Sequence, residues 1–214
     1  MGIHTRTVNV LLLLMVILGA CKPAGRDLQT GDLLFVGERG ENPGSMGEAI
    51  ASATENLTHV ALIEVDVAGM YWVIDATPKR GVSRYPLDTL IQENPGAELL
   101  VKRLRDTSGV SMFVDHARRF IGQPYDLTFL PDNDALYCSE LIHDAYQRPD
   151  GSYLFEEKPM NFLSPDGTLP AYWASLFERL EMPVPQGVPG TNPQDMSASP
   201  LLETVPVPLS KNRL

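Results

Sequence analysis

"DALYCSELIHDAY" (residues 134–146) places one cysteine, Cys138, in what its pattern makes the first turn of a helix. Cys138, Leu141, Ile142 and Ala145 recur at i, i+3, i+4 and i+7, so the sulfur shares the buried face. The turn-forming run "PDND" (131–134) comes just before, so the helix begins within a residue or two of Cys138. Unpaired backbone N–H groups and the helix dipole at that end favour a thiolate and an oxyanion alike. The charge of Glu140 opposes this, and no base lies in the same turn. Without a base, Cys138 reads as a small buried hydrophobe.

The base must come from a histidine elsewhere in the chain. His4 lies in the N-terminal segment, and His143 stands ~140° round the helix from Cys138, where a solvated rim position is expected. His116, in "DHARR", reads as an exposed helix face. His59 is different, because it opens the apolar run "THVALIEVDV" (58–67), where a polar ring falls at the mouth of a sheet. A lone histidine at a strand start is more often structural, but its pairing with a lone distant cysteine favours catalysis. Such a base wants an acceptor on its other nitrogen. Alternation along a strand turns Glu64 to the face opposite His59. Asp75, in "YWVIDAT" (71–77), falls on the same face as His59 if the hairpin centres near Gly69, but a few residues along. A bulge or shifted register is then needed to join them, and Asp75 is favoured over Glu64.

Around these residues the chain reads as mixed α and β. "GDLLFV" (31–36) and "ELLVKRL" (98–104) are strand-like, and 58–67 with 71–77 form a hairpin. Helices are expected over roughly 46–55 and 109–122. From 159 to 209 the sequence is proline-rich, with one amphipathic patch at "AYWASLFERL" (171–180), and it reads as an extended segment wrapping the domain and frayed at its end. No internal repeat is visible.

Arg6 and the short apolar stretch "VNVLLLLMVIL" (8–18) have the layout of a secretory signal. "LGAC" (18–21) resembles a lipobox, which implies that Cys21 becomes the first mature residue and carries lipid. Lys22 after it leans toward the outer membrane. The expected organisation is a signal peptide at 1–20, a lipidated tether at 21–29, a catalytic domain at 30–185 and a proline-rich extension at 186–214. Without the signal, 16 basic side chains face 27 acidic ones, a formal charge of −11. Such a surface argues against nucleic acid as a partner and against electrostatic attraction to anionic lipid. With Cys21 lipidated, Cys138 is the remaining thiol in a compartment where cysteines are normally paired.

Four short motifs together carry a resemblance. NlpC-type cell-wall peptidases, which have a papain-like fold, show a "G-x-PY … DCSGL" cysteine helix, then "GDL-F", then "HVG-Y", then a strand ending in a polar residue and alanine. Here "GDLLF" (31–35), "THVALI" (58–63) and "VIDA" (73–76) come first, and "GQPYD" (122–126) and "YCSEL" (137–141) come last. The chain therefore resembles a circular permutation of that fold, and is more closely similar to the YiiX-like permuted papain-fold family over residues 29–205. That family shares both the order and the tail "VPGTNPQDMSASPLLETV" (188–205). The resemblance implies an α+β fold with an antiparallel sheet or barrel packed against helices. It also implies a Cys138 nucleophile, a His59 base and a third polar residue at Asp75, where the family often has glutamate. Tyr125 and Tyr137 are candidate cleft-lining residues, with ordinary aromatic packing as the alternative. The function implied is a lipid-anchored cysteine peptidase or amidase acting on small peptide or peptidoglycan-derived amides in the bacterial envelope, facing the periplasm. An acyl ester or thioester hydrolase, an acyltransferase, or a peptide-binding lipoprotein are the other readings. No metal or other cofactor is required, since the spacing of Glu140 and His143 matches no common chelating pattern.

Overall fold

The computed structural model describes residues 27–39, 44–207 and 209; the apolar leader and Cys21 lie outside the described residues. In chain order the elements are β1 (Leu33–Gly37), α1 (Met46–Thr54), β2 (Leu57–Val65), β3 (Tyr71–Thr77), β4 (Gly81–Pro86), α2 (Leu87–Glu93) and β5 (Leu99–Leu104). They continue with α3 (Val110–Arg119), α4 (Cys138–Ala145), β6 (Lys158–Pro159), α5 (Ala171–Arg179), β7 (Pro189–Gly190), α6 (Pro193–Ser197) and β8 (Leu202–Thr204). Six strands form one sheet in the order β4-β3-β2-β1-β5-β8, and every neighbouring pair is antiparallel. The α+β expectation therefore describes the architecture.

Alternation along the central strands supplies two apolar faces. Leu33, Phe35, Leu62 and Ile74 point to the side covered by α3 and α4, where Phe113, Leu141 and Tyr146 complete the core. Leu34, Ala61, Ile63 and Val73 point to the other side, against Tyr85, Leu87 and Leu90. Ala61 thus packs in a core. A third, aromatic cluster joins α1 and α5 through Phe129, Tyr137, Phe162, Trp173 and Phe177.

Several segments differ from expectation. β4 and α2 were not foreseen, because "GVSRYP" mixes glycine, arginine and proline and shows no clean alternation. The last stretch is built into the body. β8 pairs with β5 from Lys102↔Thr204 to Leu104↔Leu202, and Leu202 and Val205 enter the two cores. His143 is buried at 6 % exposure rather than solvated, because Nδ1 reaches the Phe155 carbonyl at 2.8 Å and the ring stacks on Tyr153. His116 is half-buried, with Nδ1 3.1 Å from the Ala145 carbonyl, so it joins α3 to the end of α4.

The β2–β3 turn sets the register that matters most. Gly69, at φ +79°, lets the chain close tightly, and its N–H donates to the Asp66 carbonyl at 2.9 Å. Asp66 Oδ1 accepts from the N–H groups of Ala68 and Met70, both at 2.9 Å. The ladder then runs from Val65↔Tyr71 to Leu62↔Ile74. The turn is centred on Ala68, one residue earlier than the sequence suggested. That register, continued, sets Asp75 across from Ala61, diagonal to His59. No bulge between β2 and β3 is needed.

Candidate active site

The site forms where β2 begins, β3 ends and α4 starts. Between Val36↔His59 and Gly37↔Leu57 the β1–β2 ladder shifts register at Thr58, the kind of irregularity that re-aims side chains at a strand mouth. His59 Nε2 lies 2.8 Å from Asp75 Oδ1, with the histidine side chain 22 % exposed and the aspartate fully buried. Oδ1 is buried and has no polar partner besides this ring nitrogen. Asp75 Oδ2 accepts a short hydrogen bond from the Tyr85 hydroxyl. Cys138 bears on the His59 ring as well and helps to raise its pKa. With Nε2 on Asp75, Nδ1 is the nitrogen left for the sulfur.

Burial alone would push the His59 pKa down, because it penalises the cation. The charge of the Asp75 carboxylate and the interactions with Cys138 outweigh burial and hold it well above 6.5. The structure thus brings together all three residues that the sequence singled out. Glu64 is elsewhere: its buried carboxylate is held by Arg84 Nε at 2.8 Å and Arg118 Nη2 at 2.7 Å.

Cys138 is the first residue of α4, which no side-chain oxygen caps at Tyr137. Glu140 instead reaches back, its Oε2 accepting from the Tyr137 N–H at 3.3 Å. The Cys138 end of the helix faces a cleft of about 450 Å³, with Ile50, Tyr125, Phe129, Met160, Phe162 and Trp173 among its walls. Tyr125 and Tyr137 both line it. The Tyr125 hydroxyl contacts Met46 Sδ at 3.6 Å, and a smaller recess of about 200 Å³ beyond Tyr125 holds His59, Asp75 and Tyr85. The Tyr137 hydroxyl accepts from the Thr191 N–H at 3.0 Å, so its ring also ties the late segment to α4. Burial pushes the pKa of both phenols up.

Two contributors escaped the sequence reading. Tyr85 lies diagonal to Asp75 across the β3–β4 ladder, where Asp75 pairs with Ser83. Alternation would have found it had β4 been recognised. The far wall of the cleft comes from 158–162 and 191–195, where β6 and β7 pair. A Cβ on Gly190 would fall on Met160 Sδ and within 2.8 Å of the Tyr137 hydroxyl, so any larger residue would force these side chains of the cleft wall to shift.

Comparison with known proteins gives the geometry a family. The chain is 29% identical over 182 residues to YiiX of Escherichia coli (strain K12), an uncharacterised protein, covering 83% of this chain and 85% of that one. It superimposes on the crystal structure of metalloprotein YiiX from Escherichia coli O157:H7 with a TM-score of 0.68 and 27% identity, covering 83% of this chain and 96% of the other. That relative is described as a metalloprotein; among the described residues here, no three His, Cys, Asp or Glu side chains gather to hold a metal ion. The profile of the permuted papain-like amidase enzymes, YaeF/YiiX, C92 family, matches residues 27–206. With the strand bearing His59 ahead of the helix bearing Cys138, and the match spanning nearly all the described chain, this protein belongs to the permuted papain-like amidase family.

Proposed function

We propose that the protein is a lipid-anchored thiol hydrolase that cleaves amide bonds in small peptides, with peptidoglycan stem peptides as the natural substrates. In this reading Cys21 carries the lipid and the enzyme sits on the outer membrane facing the periplasm. The observation that carries the proposal is the meeting of His59 with both Asp75 and Cys138 where the start of α4 faces a cleft. His59 takes the proton of Cys138, and the sulfur attacks the amide carbonyl. The resulting oxyanion is held by N–H groups at the start of α4, that of Cys138 included. His59 then gives its proton to the departing amine. Water, deprotonated by His59, releases the acid from the thioester and restores the thiol. Asp75, steadied by Tyr85, holds the ring in place.

The apolar walls of the cleft favour a second reading, hydrolysis of acyl esters or thioesters by the same nucleophile. Mature wild-type protein and Cys138→Ser are incubated with muropeptides and with model acyl esters, and products are read by mass spectrometry. Amide cleavage by wild type alone is expected, whereas product from esters only would overturn the peptidase reading. A non-catalytic binding protein is tested by alkylation. Iodoacetamide should label Cys138 near neutral pH faster in the native fold than in unfolded chain, and His59→Ala should slow it.

A further inference from the structure

The β2–β3 hairpin ends in two apolar side chains without protein cover. Val67 is fully exposed and Met70 is 59 % exposed, with Tyr71 and Trp72 half-buried just behind them. Single exposed hydrophobes are ordinary. The turn does not need these side chains, because the Asp66 carboxylate and the backbone of Asp66, Gly69 and Met70 close it.

The described chain starts at this same end of the molecule. Thr30 Oγ1 accepts from the Val65 N–H at 2.9 Å, just before the turn. Arg103 Nη2 donates to the Asp27 carbonyl at 3.0 Å while its Nε grips the buried Asp32, so the first described residues are fastened there. From Asp27 back to Cys21 the chain can span at most ~20 Å. The candidate active site lies at the other end. His59 is ~20 Å back along β2 from Val65. α4 runs from Cys138 toward Tyr146, whose hydroxyl donates to the Gly31 carbonyl at 3.1 Å.

We propose that Val67 and Met70 dock into the lipid surface to which Cys21 tethers the chain, with Tyr71 and Trp72 at headgroup depth. The inference rests on the lipid-anchor reading of Cys21. Aromatic residues favour that interfacial layer, and the acidic composition offers no broad electrostatic attraction to anionic lipid. The arrangement turns the cleft away from the bilayer. The substrate is then a water-borne peptide rather than an acyl chain resident in the membrane.

The test uses the full chain expressed with its leader, purified from membranes and reconstituted into phosphatidylethanolamine–phosphatidylglycerol vesicles carrying brominated acyl chains. Of the two tryptophans, Trp173 is buried in the aromatic cluster, so Trp72 reports on the tip. The expected result is quenching of Trp72 emission that is lost in Trp72→Phe and in the Val67→Asp/Met70→Asp variant. Intact mass of the same preparation shows whether Cys21 carries lipid. An unlipidated Cys21 overturns the anchor and the docking together. A lipidated Cys21 with unquenched Trp72 overturns the docking alone. A soluble Cys21→Ser form that dimerises and is split by Val67→Asp overturns it as well, assigning the tip to a second copy of the chain.

Discussion

Glu140, two residues along α4 from the sulfur, carries an acid whose ionisation is delayed. Burial pushes its pKa up to about 8, with the charges of Asp126, Asp144 and Glu157 adding to it and the bond to the Tyr137 N–H opposing. The folded pKa lies above the ordinary 4.5, so the protonated carboxyl contributes stability that is complete below 4.5 and lost as pH rises through about 8. His59 has the same sign, its contribution fading as pH climbs from 6.5 through its own raised value. Glu140→Gln should therefore flatten the decline between pH 4.5 and 8 and stabilise the fold at pH 9 by on the order of 1 kcal/mol, after discounting for partial exposure. Urea unfolding of both proteins at pH 5 and pH 9 checks this; an unchanged difference at the two pH values would count against titration of Glu140. Near neutral pH the acid leaves little charge beside Cys138, so the opposition read from the sequence is weaker than it looked. Tyr85→Phe is a second prediction at this scale. It removes the donor to a fully buried carboxylate oxygen and should cost about 1–3 kcal/mol, measured by denaturant midpoint. It should also slow alkylation of Cys138 by loosening the Asp75–His59 pair.

Among the elements, α4 was legible from the 3.6-residue spacing of its apolar side chains, and β2 and β3 from short continuous runs of β-branched and aromatic residues, buried on both faces of the sheet. β4 and β8 were not, because edge strands are under weaker pressure to alternate and tolerate proline. β8 is only three residues long, and nothing local marks it as a strand; it exists because β5 offers an open edge. A chain ending at residue 199 should lose β8 with the buried Leu202 and Val205. Burial of two such side chains is worth about 3–6 kcal/mol. A urea midpoint unmoved by the truncation would show that the strand is decoration. The β2–β3 turn is the counterpart case. The sequence placed the hairpin correctly but centred it one residue late, which pulled Asp75 away from His59 and invoked a bulge. Asp66, by accepting from Ala68 and Met70, decides the centre.

At the scale of the molecule, the identity of the three site residues was readable because so few candidates existed: one thiol in the described chain and one histidine opening an apolar strand. What no local pattern carried was the cleft. Its walls come from α1, the 125–129 loop, the β6–β7 pair and α5, far apart in sequence and joined by a cluster of aromatic rings. The permuted order also has a temporal side. A polypeptide threading outward from its N-terminus delivers the imidazole and its carboxylate early, the sulfur much later, and the segment that walls the cleft last of all. For a chain exported as proposed above, any product terminated before residue 138 lacks the nucleophile and is chemically silent, and the thiol meets oxidants only after the imidazole and its carboxylate have passed.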